Sequence, residues 1–219
     1  MKNPTGQGPE TPVKLQVAVD LTSLDQALEL MHGVAPSVDI LEAGTPLIKQ
    51  EGLRVVSAFK AKHPDKLVLA DMKTMDAGEL EADLAFRAGA DLVTVLALAH
   101  DRTIAGAVAA ARKHGRAVVA DMIGIHDHGA RARQLVSLGV DYVAVHSGLD
   151  EQSQGVRPLA EIAAVKAATS LPLLVVGGID ADTVLEAKAA GAAIVAVGHA
   201  ICGAPDPAGM ARRLRTLIG

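Results

Sequence analysis

At 219 residues, half of them hydrophobic and 21% charged, the chain is long and apolar enough to bury one sizeable core, which excludes a disordered tail and favours a single domain. Aromatic residues make up 1% (Phe59, Phe86 and Tyr142, with no Trp) and the formal net charge is −4, which argues against a base-stacking nucleic-acid surface and a broad phosphate-backbone footprint. Cys202 is the only cysteine, so neither an intrachain disulfide nor a thiolate metal cluster is available. No apolar run approaches the roughly 18 residues of a membrane span, and the expectation is a cytoplasmic protein with a small ligand.

Residues 1–12 are polar, rich in Gly and Pro, and lack an apolar stretch, so they read as a disordered leader and not a signal peptide, leaving 13–219 for the folded domain. Short β-branched runs then recur at 15–19, 38–41, 67–70, 92–96, 117–123, 140–145, 173–176 and 193–197, with Ala-rich stretches of helical spacing between them. Three helices end alike, at Ala88-Gly89-Ala90-Asp91, Leu138-Gly139-Val140-Asp141 and Ala190-Gly191-Ala192-Ala193, each with a Gly suited to a left-handed cap before the next strand. Eight β-then-α units with strands apolar on both faces predict an α/β fold, a single (β/α)8 TIM barrel. The rival open sheet is disfavoured because no G-x-G-x-x-G follows the first strand.

In such barrels the working residues sit at the C-terminal ends of the strands. The polar residues gather there: Asp20 after the first strand, Glu42 in the second, Asp71 to Asp76 on the third, Asp121 in the fifth, His146 at the end of the sixth. Gly177-Gly178 and Gly198-His199 end the seventh and eighth. A single Asp at a strand end is ordinarily a helix cap or turn former, but so many at one mouth point to chemistry. Alternation places Asp71 and Lys73 on one face of the third strand, where carboxylates keep the lysine protonated. With Glu42, Asp71 and Asp20 converging, negative charge exceeds what Lys73 neutralises. A divalent metal is therefore expected, and an all-oxygen ligand set points to Mg²⁺.

Gly is ordinary wherever a strand turns tightly, yet these two pairs end neighbouring strands and can turn backbone N–H groups on one anion. An anion pocket opposite a carboxylate cluster implies a sugar phosphate. His146 is either a hydrogen-bonded structural histidine or a proton carrier. In His126-Asp127-His128, Asp127 reads as a helix N-cap with both histidines solvated; His32, His63, His100 and His114 read as surface residues, and Cys202 as a small buried one.

Taken together, Val17-Ala18-Val19-Asp20, Glu42-Ala43-Gly44-Thr45-Pro46, Glu51-Gly52-Leu53-Arg54, Leu69 to Gly78, Val119 to Ile123 and Val145-His146-Ser147-Gly148 resemble the 3-hexulose-6-phosphate synthase family. That family belongs to the orotidine-5′-monophosphate decarboxylase superfamily of (β/α)8 barrels. The resemblance implies a Mg²⁺-dependent aldol condensation of D-ribulose 5-phosphate with formaldehyde through an enediolate. It assigns Glu42 and Asp71 to the metal, Asp20 to Lys73 or a substrate hydroxyl, Asp121 to the sugar chain and His146 to proton transfer near C1. Gly177, Gly178, Gly198 and His199 would bind phosphate, and Asp76 would reach the partner's site in a homodimer. Two alternatives are a 3-keto-L-gulonate-6-phosphate decarboxylase and a sugar-phosphate-binding barrel without turnover. Relatives of the decarboxylase kind carry Glu on strand five and Arg after the strand-six His, where this chain has Asp121 and Leu149, so the aldolase is favoured.

Overall fold

The β-branched runs form eight strands and the Ala-rich stretches the helices between them, in a computed structural model that describes residues 12–155 and 158–219. The expected leader, but for Pro12, lies outside the described residues. The order is β1 (Lys14–Val19), α1 (Leu24–Val34), β2 (Ile40–Ala43), α2 (Thr45–Glu51), α3 (Arg54–Lys62), β3 (Leu67–Thr74), α4 (Gly78–Arg87), β4 (Leu92–Leu96) and α5 (Asp101–His114). It continues with β5 (Ala117–Asp121), α6 (His128–Leu138), β6 (Tyr142–His146), α7 (Leu149–Gln152), α8 (Leu159–Ala168), β7 (Leu173–Val176), α9 (Val184–Ala189), β8 (Ile194–Val197), α10 (His199–Cys202) and α11 (Pro207–Ile218). All eight strands pair in parallel with their chain neighbours and β8 closes on β1, a (β/α)8 TIM barrel. Among the described residues no helix is long and apolar enough to cross a membrane.

Several strand boundaries differ from the sequence reading, β5 for example ending at Asp121, and three of the differences have a local cause. Ala35–Ser37 form a 3-10 turn, which delays β2 to Ile40. Gly139 takes φ +81 and Asp141 stands between this cap and β6, so β6 starts at Tyr142. β3 runs on to Thr74 across a register shift: Ala70 pairs with Val93, but Thr74 pairs with Val95, so two extra residues bulge from β3.

The core has two shells. Outward-facing strand residues such as Val17, Leu41, Val93 and Val145 pack under the helices. Inward-facing Ile40, Leu69, Leu92, Val119, Ala144, Leu174 and Ile194 fill the barrel's interior. Strand side chains alternate, so the position two residues further on faces inward again, one layer nearer the C-terminal mouth. Those positions are Glu42, Asp71, Thr94, Asp121 and His146 on five strands and Val176 on β7, which line one small inner cavity together, while β8 places Ala196 there. The site therefore lies in the last interior layer of the barrel, polar on five strands where the layer beneath them is apolar.

The opposite end is fastened by a repeated device. Asp39, Asp91 and Asp141 each stand just before an even strand, and each exchanges two hydrogen bonds with the odd strand alongside. Their N–H groups donate to the carbonyls of Leu15, Val68 and Val118, and their carboxylates accept from the N–H groups of those same residues at 2.8, 2.9 and 2.8 Å. Basic side chains close each clamp: Arg215 on Asp39, Lys60 and Arg116 on Asp91, Arg112 on Asp141. Ala193, at the corresponding place before β8, donates its N–H to Leu173 but has no carboxylate.

Candidate active site

The inner layer centres on Lys73. Its ammonium lies 2.8 Å from Asp71 Oδ2 and 2.9 Å from Asp121 Oδ2, bridging β3 and β5 over the intervening β4. Burial pulls the ammonium's pKa down, but the charges and hydrogen bonds of the two aspartates outweigh it and hold the group above the ordinary lysine value. The backbone at Lys73 is unusual, with φ +44, a left-handed conformation that a residue with a side chain rarely takes. Alternation alone does not bring Asp71 and Lys73 together, as the sequence reading had it; the bulge in β3 does.

Asp121 is buried and fully engaged. It accepts from Lys73, from the N–H of Ile123 at 2.9 Å, and from His146, whose Nδ1 lies 2.9 Å from Oδ2. Burial pushes this carboxyl up, while His146 and Lys73 more than reverse the effect and leave it well below the usual carboxylate range. An ionised carboxylate only accepts, so Nδ1 of His146 carries the proton and Nε2 is the nitrogen left for a ligand. Asp121 therefore grips both Lys73 and His146, and it also lines the inner cavity.

Asp20 follows β1 at the rim. It sits against Gly44, where any side chain would run into the Val19 backbone carbonyl as well as the Asp20 carboxylate, which accounts for the glycine in Glu42-Ala43-Gly44-Thr45-Pro46. Its carboxyl is raised by the protein packed around it and by Asp71. The anticipated hydrogen bond between Asp20 and Lys73 is not made; Lys73 bonds to Asp71 and Asp121 instead.

Glu42 is buried, and burial, then Asp71 and also Asp20, push it well above the ordinary glutamate value. Its hydrogen-bond partner is Gln16, whose Nε2 donates to Oε2 at 2.5 Å. Gln16 is itself buried, and its Oε1 finds no hydrogen-bond partner among the described residues. Four carboxylates thus face one lysine, and the amide with the orphaned oxygen is the one bonded to Glu42. Among the described residues no three His, Cys, Asp or Glu side chains converge tightly enough to cage a metal. Two carboxylates with open positions are what Mg²⁺ takes, since it keeps several waters or substrate oxygens, so Glu42 and Asp71 fit that ion.

A second cavity of about 240 Å³ opens beside the first and shares His146 with it. It brings together Asp20, Gly177, Gly178, Gly198 and His199. Gly177 and Gly178 have φ +107 and +66, and a side chain on Gly177 would collide with the Ser147 carbonyl, so this turn requires glycine. Gly198 leads directly into the short α10, whereas a loop separates Gly178 from α9. Among the described residues no Lys or Arg lines this cavity, and the groups there that could meet an anion are backbone N–H groups, His146 and His199.

Asp76 does not join its own chain's mouth. It is exposed and lines a separate groove of about 570 Å³ between α4 and α5, with Leu80, Arg102 and Lys113. Asp127 caps α6 as expected, accepting from the N–H of Ala130 at 2.8 Å. His128 corrects the sequence reading: its side chain is largely buried, near Glu161, and only His126 is exposed. Cys202 is half-buried and donates to the Ala18 carbonyl. Thr94, Thr45 and Gln16 were not anticipated. Thr94 and Gln16 read as strand formers, although Leu92-x-Thr94 repeats the spacing of Leu69-x-Asp71 and Val119-x-Asp121 and was a usable signal.

The chain is 53% identical over 206 residues to the 3-hexulose-6-phosphate synthase of Mycobacterium gastri, covering 94% of this chain and all of that one. A crystal structure of a 3-hexulose-6-phosphate synthase superposes with a TM-score of 0.92 at 54% identity, over 94% of this chain and all of that one. The 3-keto-L-gulonate-6-phosphate decarboxylase of Vibrio cholerae is similar at 30% identity and a TM-score of 0.85, over 95% of this chain and 98% of that one. The family model described as orotidine 5′-phosphate decarboxylase / HUMPS matches residues 13–214, and with these relatives it shows that the chain belongs to that family.

Proposed function

We propose that this protein is a 3-hexulose-6-phosphate synthase, joining D-ribulose 5-phosphate to formaldehyde to give D-arabino-hex-3-ulose 6-phosphate. The observation that carries the reading is the Lys73–Asp121–His146 chain at a mouth that also holds a glycine-lined pocket.

The C1–H of the ketose is a weak acid, so its removal requires both a base and a positive charge on the carbonyl oxygen. His146 Nε2 takes the C1 proton, and the C–H electron pair moves to the C2 oxygen as an enediolate. The Lys73 ammonium, kept charged by its two aspartates, stabilises that oxygen. The enediolate C1 then attacks formaldehyde, the C=O electrons pass to the formaldehyde oxygen, and the proton held on His146 returns to it. Asp121 keeps both groups aligned through the cycle. Mg²⁺, held by Glu42 and Asp71, would supply a Lewis acid for the substrate oxygens. The phosphate lies against Gly177, Gly178, Gly198 and His199, and Asp20 takes a substrate hydroxyl.

The enzyme works in the cytoplasm as a homodimer in which Asp76 enters the partner's mouth. Exposed Met75 and Leu80 on either side of Asp76 support a covered surface there. The test is to incubate the protein with ribulose 5-phosphate and Mg²⁺, with and without formaldehyde, and to identify the sugar by NMR. Formaldehyde-dependent formation of the hexulose phosphate is expected. No formaldehyde consumption would overturn the reading, and CO₂ release from 3-keto-L-gulonate 6-phosphate as the faster reaction would reassign the protein to the decarboxylases.

A further inference from the structure

Lys73 owes its reach to a distorted backbone, and distorted backbone persists only where its surroundings over-determine it. In β3 the ladder to β4 steps from Ala70–Val93 to Thr74–Val95, so Asp71, Met72 and Lys73 face a single β4 residue, Thr94, in place of a regular register. Thr94 is buried and its hydroxyl does two things at once. It accepts from the Lys73 N–H at 2.9 Å and donates to Asp71 Oδ1 at 2.7 Å. An N–H only donates and a carboxylate only accepts, so this hydroxyl has one orientation that satisfies both. It stands in for the missing ladder bond at the residue with φ +44, and it ties that backbone to the side chain against which the ammonium rests.

We infer that Thr94 is a positioning residue for Lys73: its hydroxyl holds the bulge of β3 in the conformation from which the ammonium reaches Asp121. Valine has the same shape and offers neither bond; serine offers both. This rests on the proposed aldol reading only for its kinetic arm.

The test compares Thr94→Val, Thr94→Ala and Thr94→Ser in the full-length protein, by crystal structure and by exchange of the ribulose 5-phosphate C1 proton with deuterium in the absence of formaldehyde. In T94V and T94A, Lys73 should leave the left-handed region and lose Asp121. The limiting exchange rate should fall about 10–100-fold, the cost of misplacing a reacting group by about 1 Å, with the apparent substrate KM moving less than about threefold. T94S should keep the wild-type Lys73 geometry and stay within about threefold of the wild-type rate. T94A covers the case in which the valine methyl prevents folding. Unchanged Lys73 geometry and exchange in the hydroxyl-free variants, or equal losses in T94S, would overturn the inference. Should the wild type itself show no exchange, the aldol reading fails, and the Lys73 conformation in the variants still decides this one.

Discussion

Lys73 and Asp121 are 48 residues apart in the chain and 2.9 Å apart in the barrel, and Asp121 passes the contact on to His146. The Lys73 ammonium and the His146 imidazole are therefore fixed to one carboxylate. Lys73→Ala should slow C1-proton exchange of ribulose 5-phosphate by about 10²–10³-fold even without formaldehyde, because the loss falls on enediolate formation. Deuterium incorporation followed by NMR measures it. Exchange at the wild-type rate with lost condensation would move Lys73 to the carbon–carbon bond-forming step.

Excess EDTA should abolish turnover and Mg²⁺ should restore it. Glu42→Gln should weaken binding of Mn²⁺, used as a spectroscopic stand-in, and Gln16→Leu should weaken it about 10-fold or more by freeing the Glu42 carboxylate from its tether. Electron paramagnetic resonance titration reads both without turnover. Metal affinity unchanged in Glu42→Gln would remove Glu42 from the ligand set.

Asp76 stands outside its own mouth, which invites a complementation test. Lys73→Ala and Asp76→Asn proteins should each be nearly inactive, yet regain activity when unfolded and refolded together. In a mixed dimer the site with intact Lys73 receives the intact Asp76 of its neighbour, and the other site carries both lesions. Random assortment makes about half the dimers mixed, each with one good site, so about a quarter of wild-type activity should return. Mixed dimers verified by mass spectrometry but inactive would exclude a role for Asp76 in trans.

Burial pushes the Cys202 thiol up to about 12, and the charges of Asp20 and Glu42 add to it. A raised thiol pKa means less thiolate: about one part in 10⁴ at pH 8, against roughly a quarter for an ordinary thiol. Iodoacetamide should therefore label Cys202 of the metal-free protein more than about 100-fold more slowly than glutathione at pH 8, with a rate still climbing at pH 10. A rate that levels off near pH 9 would contradict this.

The barrel was legible because its strands are written as separate β-branched runs and its caps as glycines, and neither signal depends on distant residues. Asp20, Glu42, Asp121 and His146 were legible as candidates for the same reason: each follows such a run or, like Asp121, interrupts one. The bulge at Asp71–Lys73 was not, because a period-2 pattern assumes an unbroken ladder and no glycine marks φ +44. Partners were harder still. That Lys73 bonds to Asp121 and not to Asp20 depends on which strands flank β4 and on how far the bulge carries the side chain, and neither is local information.

Asp91 accepts from a buried N–H and two basic side chains, so Asp91→Ala should cost about 2–4 kcal/mol in urea unfolding, more than Asp141→Ala, whose Arg112 partner is half exposed. Equal losses at the two positions would mean that the second cation on Asp91 adds nothing to its clamp.

The clamps treat the barrel as four two-strand staves, three of them hooped at the foot. The unhooped stave is β7–β8, and its upper ends carry both glycine turns of the anion pocket. Slow breathing of the native state, seen as amide hydrogen exchange, should therefore begin at Leu173 and Ile194 while the other three staves stay shut. The part of the wall that would meet a phosphate under the proposed function is the part that the foot of the barrel fastens without a carboxylate.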